Sequence, residues 1–408
     1  MLKPVGSRCN MTCDYCYYQE KTMFYKDSAG TLLDEELLEH FVREYIESQT
    51  QREVLFTWHG GEPLLRPLSF YRKALELQRR YARGRHIDNC LQTNGTLLTP
   101  EWCNFFRENG FLIGISIDGP QHLHDAYRHM RATRNETRTG RETHIKSDGS
   151  SWLQAMRGIE LLKSHGVMWN AMATVNRLNA DHPAAFYHFF RDLGCEFLQF
   201  TPVVERTALT APSLAAPHDK GRLTDFSVTP RQWGRFLCGI YDEWVRHDVG
   251  RLFIQTFDAT LANWAGEAPG VCSLSPECGH AAVMEWNGDV YSCDHFVVPE
   301  YRLGNIREQT LVEMVYGQRQ QTFGRRKTGA LPRQCRECRW LFACHGECPK
   351  NRFVNDRYGN PGLNYLCEGY RQFFCHVAAD MDFMTRELAA GRPPANIMLR
   401  FPQPADSR

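Results

Sequence analysis

No stretch of the 408-residue chain approaches the roughly 18 consecutive apolar residues that a membrane-spanning helix requires. The sequence also lacks a charge surplus: 48 Lys and Arg stand against 47 Asp and Glu, a formal net charge of +1. Proteins that grip nucleic acid or an anionic membrane carry a basic excess, so neither partner is expected. The opening residues, Met1-Leu2-Lys3-Pro4-Val5-Gly6, hold neither the apolar core nor the cleavage site of a signal peptide, which points to a cytoplasmic protein. At 42% hydrophobic and 23% charged residues the composition is that of a soluble globular protein. Its length exceeds one ordinary core, so two domains are the starting expectation.

What the chain has in excess is cysteine, 16 in all. A reducing compartment argues against a disulfide framework and leaves metal binding or redox chemistry. Cys9, Cys13 and Cys16 open the chain, and eight more lie between Cys272 and Cys367. Cys90, Cys103, Cys195, Cys238 and Cys375 stand apart and read as small buried hydrophobes.

From residue 30 to about 203, amphipathic helical patterns alternate with short apolar strands. Leu37, Leu38, Phe41, Val42 and Tyr45 fall at helical spacing behind a capping Asp34, and 54–58 is a buried-type strand closed by Gly60-Gly61. Repeated β-α units imply a parallel sheet with right-handed crossovers, and about six units predict an α/β partial (β/α)6 barrel. His59-Gly60-Gly61-Glu62-Pro63, Gln92-Thr93-Asn94-Gly95 and Ser116-Ile117-Asp118-Gly119 follow strand ends, where such sheets carry their function. Turn chemistry alone accounts for any one of them; three on one rim favour a site.

Segments 131–151 and 205–227 break this rhythm and read as lids or surface insertions. An amphipathic helix spans 231–247, and Trp286-Asn287-Gly288-Asp289 supplies a tight turn for a hairpin over 282–294. The expected organisation is a barrel at 1–230, a helical linker at 231–268, a cysteine-rich domain at 269–385 and a flexible tail at 386–408.

Cys9-x3-Cys13-x2-Cys16 lets three thiolates meet at one centre. A closed zinc site or a fully ligated iron–sulfur cube wants four ligands. A 4Fe–4S cluster on three thiolates keeps one iron open; the alternative is zinc with a distant histidine. C-x-x-x-C-x-aromatic-C, with Tyr15 as the aromatic, resembles the signature of the radical S-adenosylmethionine superfamily. Gly60-Gly61-Glu62-Pro63 resembles that superfamily's second motif, which holds the amino group of the methionine moiety. Ser116 and Arg128 resemble positions that bind its carboxylate. The resemblance implies S-adenosylmethionine as cofactor, reduced by the cluster to a 5′-deoxyadenosyl radical.

Cys272-x5-Cys278-x14-Cys293, Cys335-x2-Cys338-x5-Cys344-x3-Cys348 and Cys367 supply eight further ligands, enough for two 4Fe–4S clusters or two zinc ribbons. The block resembles the SPASM domain of radical maturases. By that resemblance one cluster takes Cys272, Cys278, Cys293 and Cys348, and the other Cys335, Cys338, Cys344 and Cys367, for three clusters in all.

The words Cys13-Asp14-Tyr15-Cys16-Tyr17-Tyr18, Leu91-Gln92-Thr93-Asn94-Gly95-Thr96, Cys293-Asp294, Tyr301-Arg302-Leu303-Gly304-Asn305 and Leu363-Asn364-Tyr365-Leu366-Cys367 extend the resemblance to anaerobic sulfatase-maturating enzymes. It implies oxidation of a cysteine or serine in an unfolded or nascent sulfatase polypeptide to Cα-formylglycine, with a flavodoxin- or ferredoxin-like electron donor. Asp294 matches the catalytic base, and Tyr18 and His59 match positions at the target side chain, with Gln92 and Asn94 as further substrate contacts. His59 stands where some members carry glutamine, which leaves open whether cysteine, serine or both are accepted. Another SPASM-type peptide maturase, forging thioether or carbon–carbon links, would share every cluster. A zinc-ribbon binding module is the non-enzymatic alternative.

Overall fold

The computed structural model describes residues 1–18, 21, 32–131, 149–207, 222–279 and 281–401. Most of the 131–151 and 205–227 segments therefore lies outside the described residues. In chain order the elements are β1 (Leu2–Lys3), α1 (Glu35–Glu47), β2 (Glu53–Trp58), α2 (Leu68–Tyr81), β3 (His86–Thr93), α3 (Pro100–Glu108), β4 (Leu112–Ser116), α4 (Gln121–His124), α5 (Ser151–Ser164) and β5 (Trp169–Val175). Next come α6 (Pro183–Asp192), β6 (Phe197–Pro202), α7 (Pro230–His247), β7 (Phe253–Ile254), α8 (Gln255–Ala265), β8 (Val283–Glu285), β9 (Asp289–Tyr291) and β10 (Arg302–Asn305). Then follow α9 (Leu311–Val315), α10 (Gln318–Gly329), α11 (Arg333–Arg336), α12 (Leu341–Cys344), β11 (Val354–Asn355), β12 (Pro361–Leu363) and α13 (Cys367–Ala389).

Local chemistry sets these elements as the periodicity predicts. Asp34 caps α1 by accepting the Leu37 N–H at 2.7 Å, and Leu37, Leu38, Phe41, Val42 and Ile46 form its buried stripe. Thr99 caps α3 with Pro100 at its first turn, and Thr229 and Gln232 close a capping box on α7.

The chain forms two compact units from segments interleaved in sequence. The first comprises Met1–Ile117, Gln121–Asn170 and Ala281–Gln320. Its strands run in the order β10-β9-β8-β1-β2-β3-β4. β1 lies parallel to both neighbours, Leu2 pairing with Trp58 on one side and Met284 on the other. β2, β3 and β4 are parallel, and β8, β9 and β10 are antiparallel. The expected hairpin is β8–β9, turning through Gly288 at φ +88°.

The second unit comprises Asp118–Pro120, Ala171–His280 and Gln321–Arg408. Within it β5, β6 and β7 are parallel. α7 and α13 approach backbone to backbone: a Cβ on Gly369 would stand 2.3 Å from the Pro230 carbonyl oxygen, and one on Gly234 2.9 Å from Gly369 Cα. The alternation of helices with mostly parallel strands is the α/β fold expected.

The sequence reading puts a flexible tail at 386–408, yet α13 runs to Ala389 and a 3-10 turn spans Pro394–Arg400. The physical reason is a polar clasp over a buried anchor. Arg392 and Asn396 both donate to Glu387, and Ile397 is fully buried. Residues 402–408 lie outside the described residues. No helix among the described residues is long and apolar enough to cross a membrane.

Candidate active site and cluster-binding loops

The loop carrying Cys9, Cys13 and Cys16 follows β1 and is laced to residues 127–131. The Thr12 and Asp14 N–H groups donate to the His129 and Tyr127 carbonyls at 2.8 and 2.9 Å, and Arg131 N–H donates to Asn10 at 2.9 Å. On its other side run Gly60 and Gly61. Gly61 N–H donates to the Gly6 carbonyl at 2.7 Å and Glu62 N–H to Arg8 at 2.8 Å. A Cβ on Gly61 would lie 2.0 Å from the Arg8 carbonyl oxygen, so the approach requires glycine. None of the three cysteines is in a disulfide, and all are partly buried.

Glu62 is fully buried. Its carboxylate accepts from Leu64 N–H at 3.0 Å, Thr93 Oγ1 at 2.8 Å and Asn94 N–H at 2.8 Å, tying the end of β2 to the end of β3. Burial pushes its pKa up to about 7, against the pull of these hydrogen bonds. A carboxyl raised in the folded state stabilises most below its unfolded pKa, and loses that contribution as pH rises through the folded one. In cofactor-free protein, stability should therefore fall by roughly 3 kcal/mol from pH 4.5 to above 7 on account of this group. Glu62→Gln should remove that slope. A melting temperature with the same pH profile in both proteins would contradict the assignment.

Asn94, read from the sequence as a substrate contact, braces the loop of Cys9. Its Nδ2 donates to Asn10 Oδ1 at 2.8 Å and lies 3.7 Å from Cys9 Sγ, and Asn10 reaches Thr96 Oγ1 at 2.8 Å. Gln92 donates to Ser116 Oγ at 2.9 Å, so the two predicted residues share one polar contact. The Arg128 guanidinium stands 5.8 Å from the centre of the Tyr15 ring, bringing together two more.

Around Asp294 the first unit assembles a charged pocket. The residue opens a 3-10 turn, Asp294–Phe296, after β9. Lys3 Nζ lies 2.5 Å from Asp294 Oδ1 and 3.3 Å from Glu285 Oε1. It also stands 3.8 Å from the centre of the Tyr18 ring. The Tyr17 and Tyr18 hydroxyls donate to Oδ2 and Oδ1, and Lys21 donates to the Asp294 backbone carbonyl at 2.5 Å. The His59 ring centroid is 6.0 Å from that of Tyr18, and its Nδ1 accepts the Gly60 N–H at 2.8 Å, which puts the proton of a neutral ring on Nε2.

Electrostatics follow from burial. Desolvation would raise the Asp294 carboxyl, but Lys3 and Lys21 hold it well below the usual carboxylate range. Burial pushes Lys21 down to about 7 and His59 down to about 4, so the imidazole is neutral at physiological pH. The phenols of Tyr17 and Tyr18 are pushed well above their ordinary value by burial and then by Asp294, so both remain donors. Among the described residues three of about four carboxylate lone-pair sites are thus occupied, leaving one able to accept a further hydrogen bond.

The structure brings together Asp294, Tyr18 and His59, and Gln92 and Asn94 make the other contacts just described. Lys3, Lys21 and Glu285 escaped the sequence reading. A lone lysine between Leu2 and Pro4 reads as a surface residue, whereas Lys3 is completely buried.

In the second unit, Cys335 bears electrostatically on both Cys344 and Cys367. Burial raises Cys344, with Cys367, Glu347 and Cys335 adding, and burial raises Cys367 to about 12, with Cys335 and Cys338 adding. Cys278 is raised to about 11 by burial and further by Cys272. Among the described residues no three His, Cys, Asp or Glu side chains converge closely enough for a single metal ion. A cubane cluster asks instead for thiols at its corners, and these thiol-only sets are of its donor chemistry.

Residues 4–190 match the Radical SAM superfamily and 277–339 an iron–sulfur cluster-binding domain, SPASM. A serine-type anaerobic sulfatase-maturating enzyme of Bacteroides thetaiotaomicron is 58% identical over 98% of this chain and 94% of its own. The chain belongs to the anaerobic sulfatase-maturating enzyme family. A cysteine-type member from Clostridium perfringens is 29% identical over 92% of this chain and 94% of its own. The solved structure of native anSMEcpe with bound AdoMet and Cp18Cys peptide superposes with a TM-score of 0.79 at 28% identity, covering 95% of this chain and 98% of that one. This maturating enzyme is therefore a radical S-adenosylmethionine oxidoreductase, with S-adenosylmethionine and iron–sulfur clusters as cofactors.

Proposed function

We propose that the enzyme oxidises a serine in a sulfatase polypeptide to Cα-formylglycine. The observation that carries this reading is the ionised Asp294 carboxylate, pinned by Lys3, Tyr17 and Tyr18 with one acceptor site to spare. Serine is favoured because the serine-type relative from Bacteroides is 58% identical, against 29% for the cysteine-type one from Clostridium. Eleven clustered cysteines support three 4Fe–4S clusters: Cys9, Cys13 and Cys16 would hold one, and the eight from Cys272 to Cys367 two more.

Bound S-adenosylmethionine and the clusters would supply hydrogen-atom abstraction at Cβ of the target and a sink for the electron left behind. The protein's part is orientation and proton handling. Asp294 accepts the Oγ proton, so that one hydrogen atom, one proton and one electron leave the –CH2OH group and an aldehyde remains. Lys3 balances the charge of the carboxylate, and neutral His59 offers its Nε2–H to the target oxygen. Glu62, Asn94 and the two glycines hold the cluster loop in place as positioning residues. The substrate is read as an unfolded or nascent chain in the cytoplasm, and the donor as a flavodoxin- or ferredoxin-like protein.

The test is anaerobic incubation of a peptide containing Ser-x-Pro-x-Arg with reductant and S-adenosylmethionine, followed by mass spectrometry. Loss of two hydrogens at the serine is expected, with turnover exceeding that of the matching cysteine peptide. Faster conversion of the cysteine peptide would overturn the serine preference. 5′-Deoxyadenosine with both peptides unchanged would favour a different SPASM-type maturase.

A further inference from the structure

Between Cys344 and Cys348 the backbone takes an unusual course. His345, Gly346 and Glu347 all have positive φ, at +47°, +71° and +52°. Two of them are not glycine, so the turn stores strain that something must offset. The reason lies in Arg352, which is buried beneath the loop. Its Nε donates to the Gly346 carbonyl at 2.8 Å, and its Nη2 to the carbonyls of His345 at 2.8 Å and Glu347 at 3.0 Å. Three successive carbonyls are thus aimed at one guanidinium, and a Cβ on Gly346 would strike its Nη2 at 2.5 Å.

The fourth direction of this fork leads to a second cation. Arg352 Nη1 donates to the backbone carbonyl of Lys327, whose side chain is completely buried. Lys327 Nζ in turn donates to the carbonyls of Cys272 at 2.6 Å and Ser273 at 2.8 Å. Among the described residues neither cation has a carboxylate within 4.0 Å; every hydrogen bond they donate goes to a backbone carbonyl. Glu347, the acid of this loop, accepts from Asn351 and Asn364 instead. Two buried charges held only by carbonyl dipoles are costly unless an anion stands near. The groups whose charges bear on them are Cys278, Cys348 and, beyond hydrogen-bond distance, Glu347 for Lys327, and Cys335, Glu347, Cys348 and Cys344 for Arg352.

We propose that Lys327 and Arg352 are fixed cations that set the auxiliary iron–sulfur sites at a potential where they accept the substrate's electron. The inference rests on the reading of these cysteines as cluster ligands. A fully thiolate-ligated cubane is an anion and gains one more negative charge on reduction, so a nearby fixed cation favours the reduced form. Arg352 also shapes the loop joining Cys344 to Cys348. Lys327 carries the charge without making that turn, and it is the residue to vary.

The experiment is a potentiometric titration followed by electron paramagnetic resonance on anaerobically loaded, full-length protein, with iron content measured first. In Lys327→Met the reduced-to-oxidised ratio of an auxiliary cluster at fixed poise should fall about tenfold, about 59 mV for a one-electron couple. The N-terminal cluster should keep its potential, and Lys327→Arg should stay near the parent. A fully loaded methionine variant with unmoved potentials would overturn the proposal, as would equal shifts in the methionine and arginine variants. If Lys327→Met loses iron, Lys327→Gln supplies a neutral donor in its place. Loss of iron there too, with Lys327→Arg fully loaded, would mark the role as structural and overturn the proposal. Parent protein holding only one cluster's iron would overturn the cluster reading, and the proposal with it.

Discussion

Asp294→Asn should lower aldehyde formation by about 10²–10⁴, the usual worth of a positioned proton acceptor, while release of 5′-deoxyadenosine without peptide persists. The carboxylate is the proton's destination in the proposed reaction, and the amide keeps its size without its basicity. The carbonyl oxygen of the amide keeps one of the Tyr17 and Tyr18 hydroxyls as donor, the other hydroxyl can turn to accept from the amide NH2, and Lys3 keeps Glu285 at 3.3 Å, so the pocket should hold its shape. Backbone hydrogen bonds tie the Cys9, Cys13 and Cys16 loop to residues 127–131 and to Gly61 and Glu62. Parallel assays of peptide aldehyde and of deoxyadenosine separate the two steps. Equal loss of both products would remove Asp294 from this role and make it a support for the cofactor site.

Lys3→Met should cost roughly 3–5 kcal/mol of stability, the range for breaking a buried ion pair by removing one partner. Lys3 is fully buried and neutralises two acids, Glu285 with its side chain 4% exposed and Asp294 with 14%. Methionine fills the volume but leaves both carboxylates in a medium of low dielectric. Denaturant unfolding followed by circular dichroism reads the loss. Adding Asp294→Asn removes one of the orphaned charges, so the double variant should regain part of the stability. A Lys3→Met protein as stable as the parent would mean that the triad is not buried as described.

How far the sequence could be read depended on whether the information was local. The cysteine spacings and the Gly60-Gly61-Glu62-Pro63 turn after a strand are short-range patterns, and they led directly to the cluster loop and its glycine contact. Asp294 was legible as a candidate because it directly follows Cys293 and matches the aspartate of the family resembled; the hairpin at Asn287-Gly288 leads to both just past β9. Lys3 was not legible, because β1 is two residues long and its partners come from Trp58 and from Met284 in the far part of the chain. No periodicity is visible in two residues. Asn94 and Gln92 lie on the rim predicted for them, but a side chain's hydrogen-bond partner is a tertiary fact. Asn10 and Ser116 claim them. The 386–401 stretch misled because Pro and Gly in sequence look like a loop, while the Glu387 clasp that orders it is formed only in three dimensions.

The central claim is that this enzyme couples hydrogen abstraction at Cβ of a serine to a two-electron oxidation. Incubation with a sulfatase-type peptide carrying deuterium at the serine Cβ tests it most directly. The account predicts deuterium in the 5′-deoxyadenosine released, in step with formation of the peptide aldehyde. Deoxyadenosine free of deuterium beside an unchanged serine would contradict it.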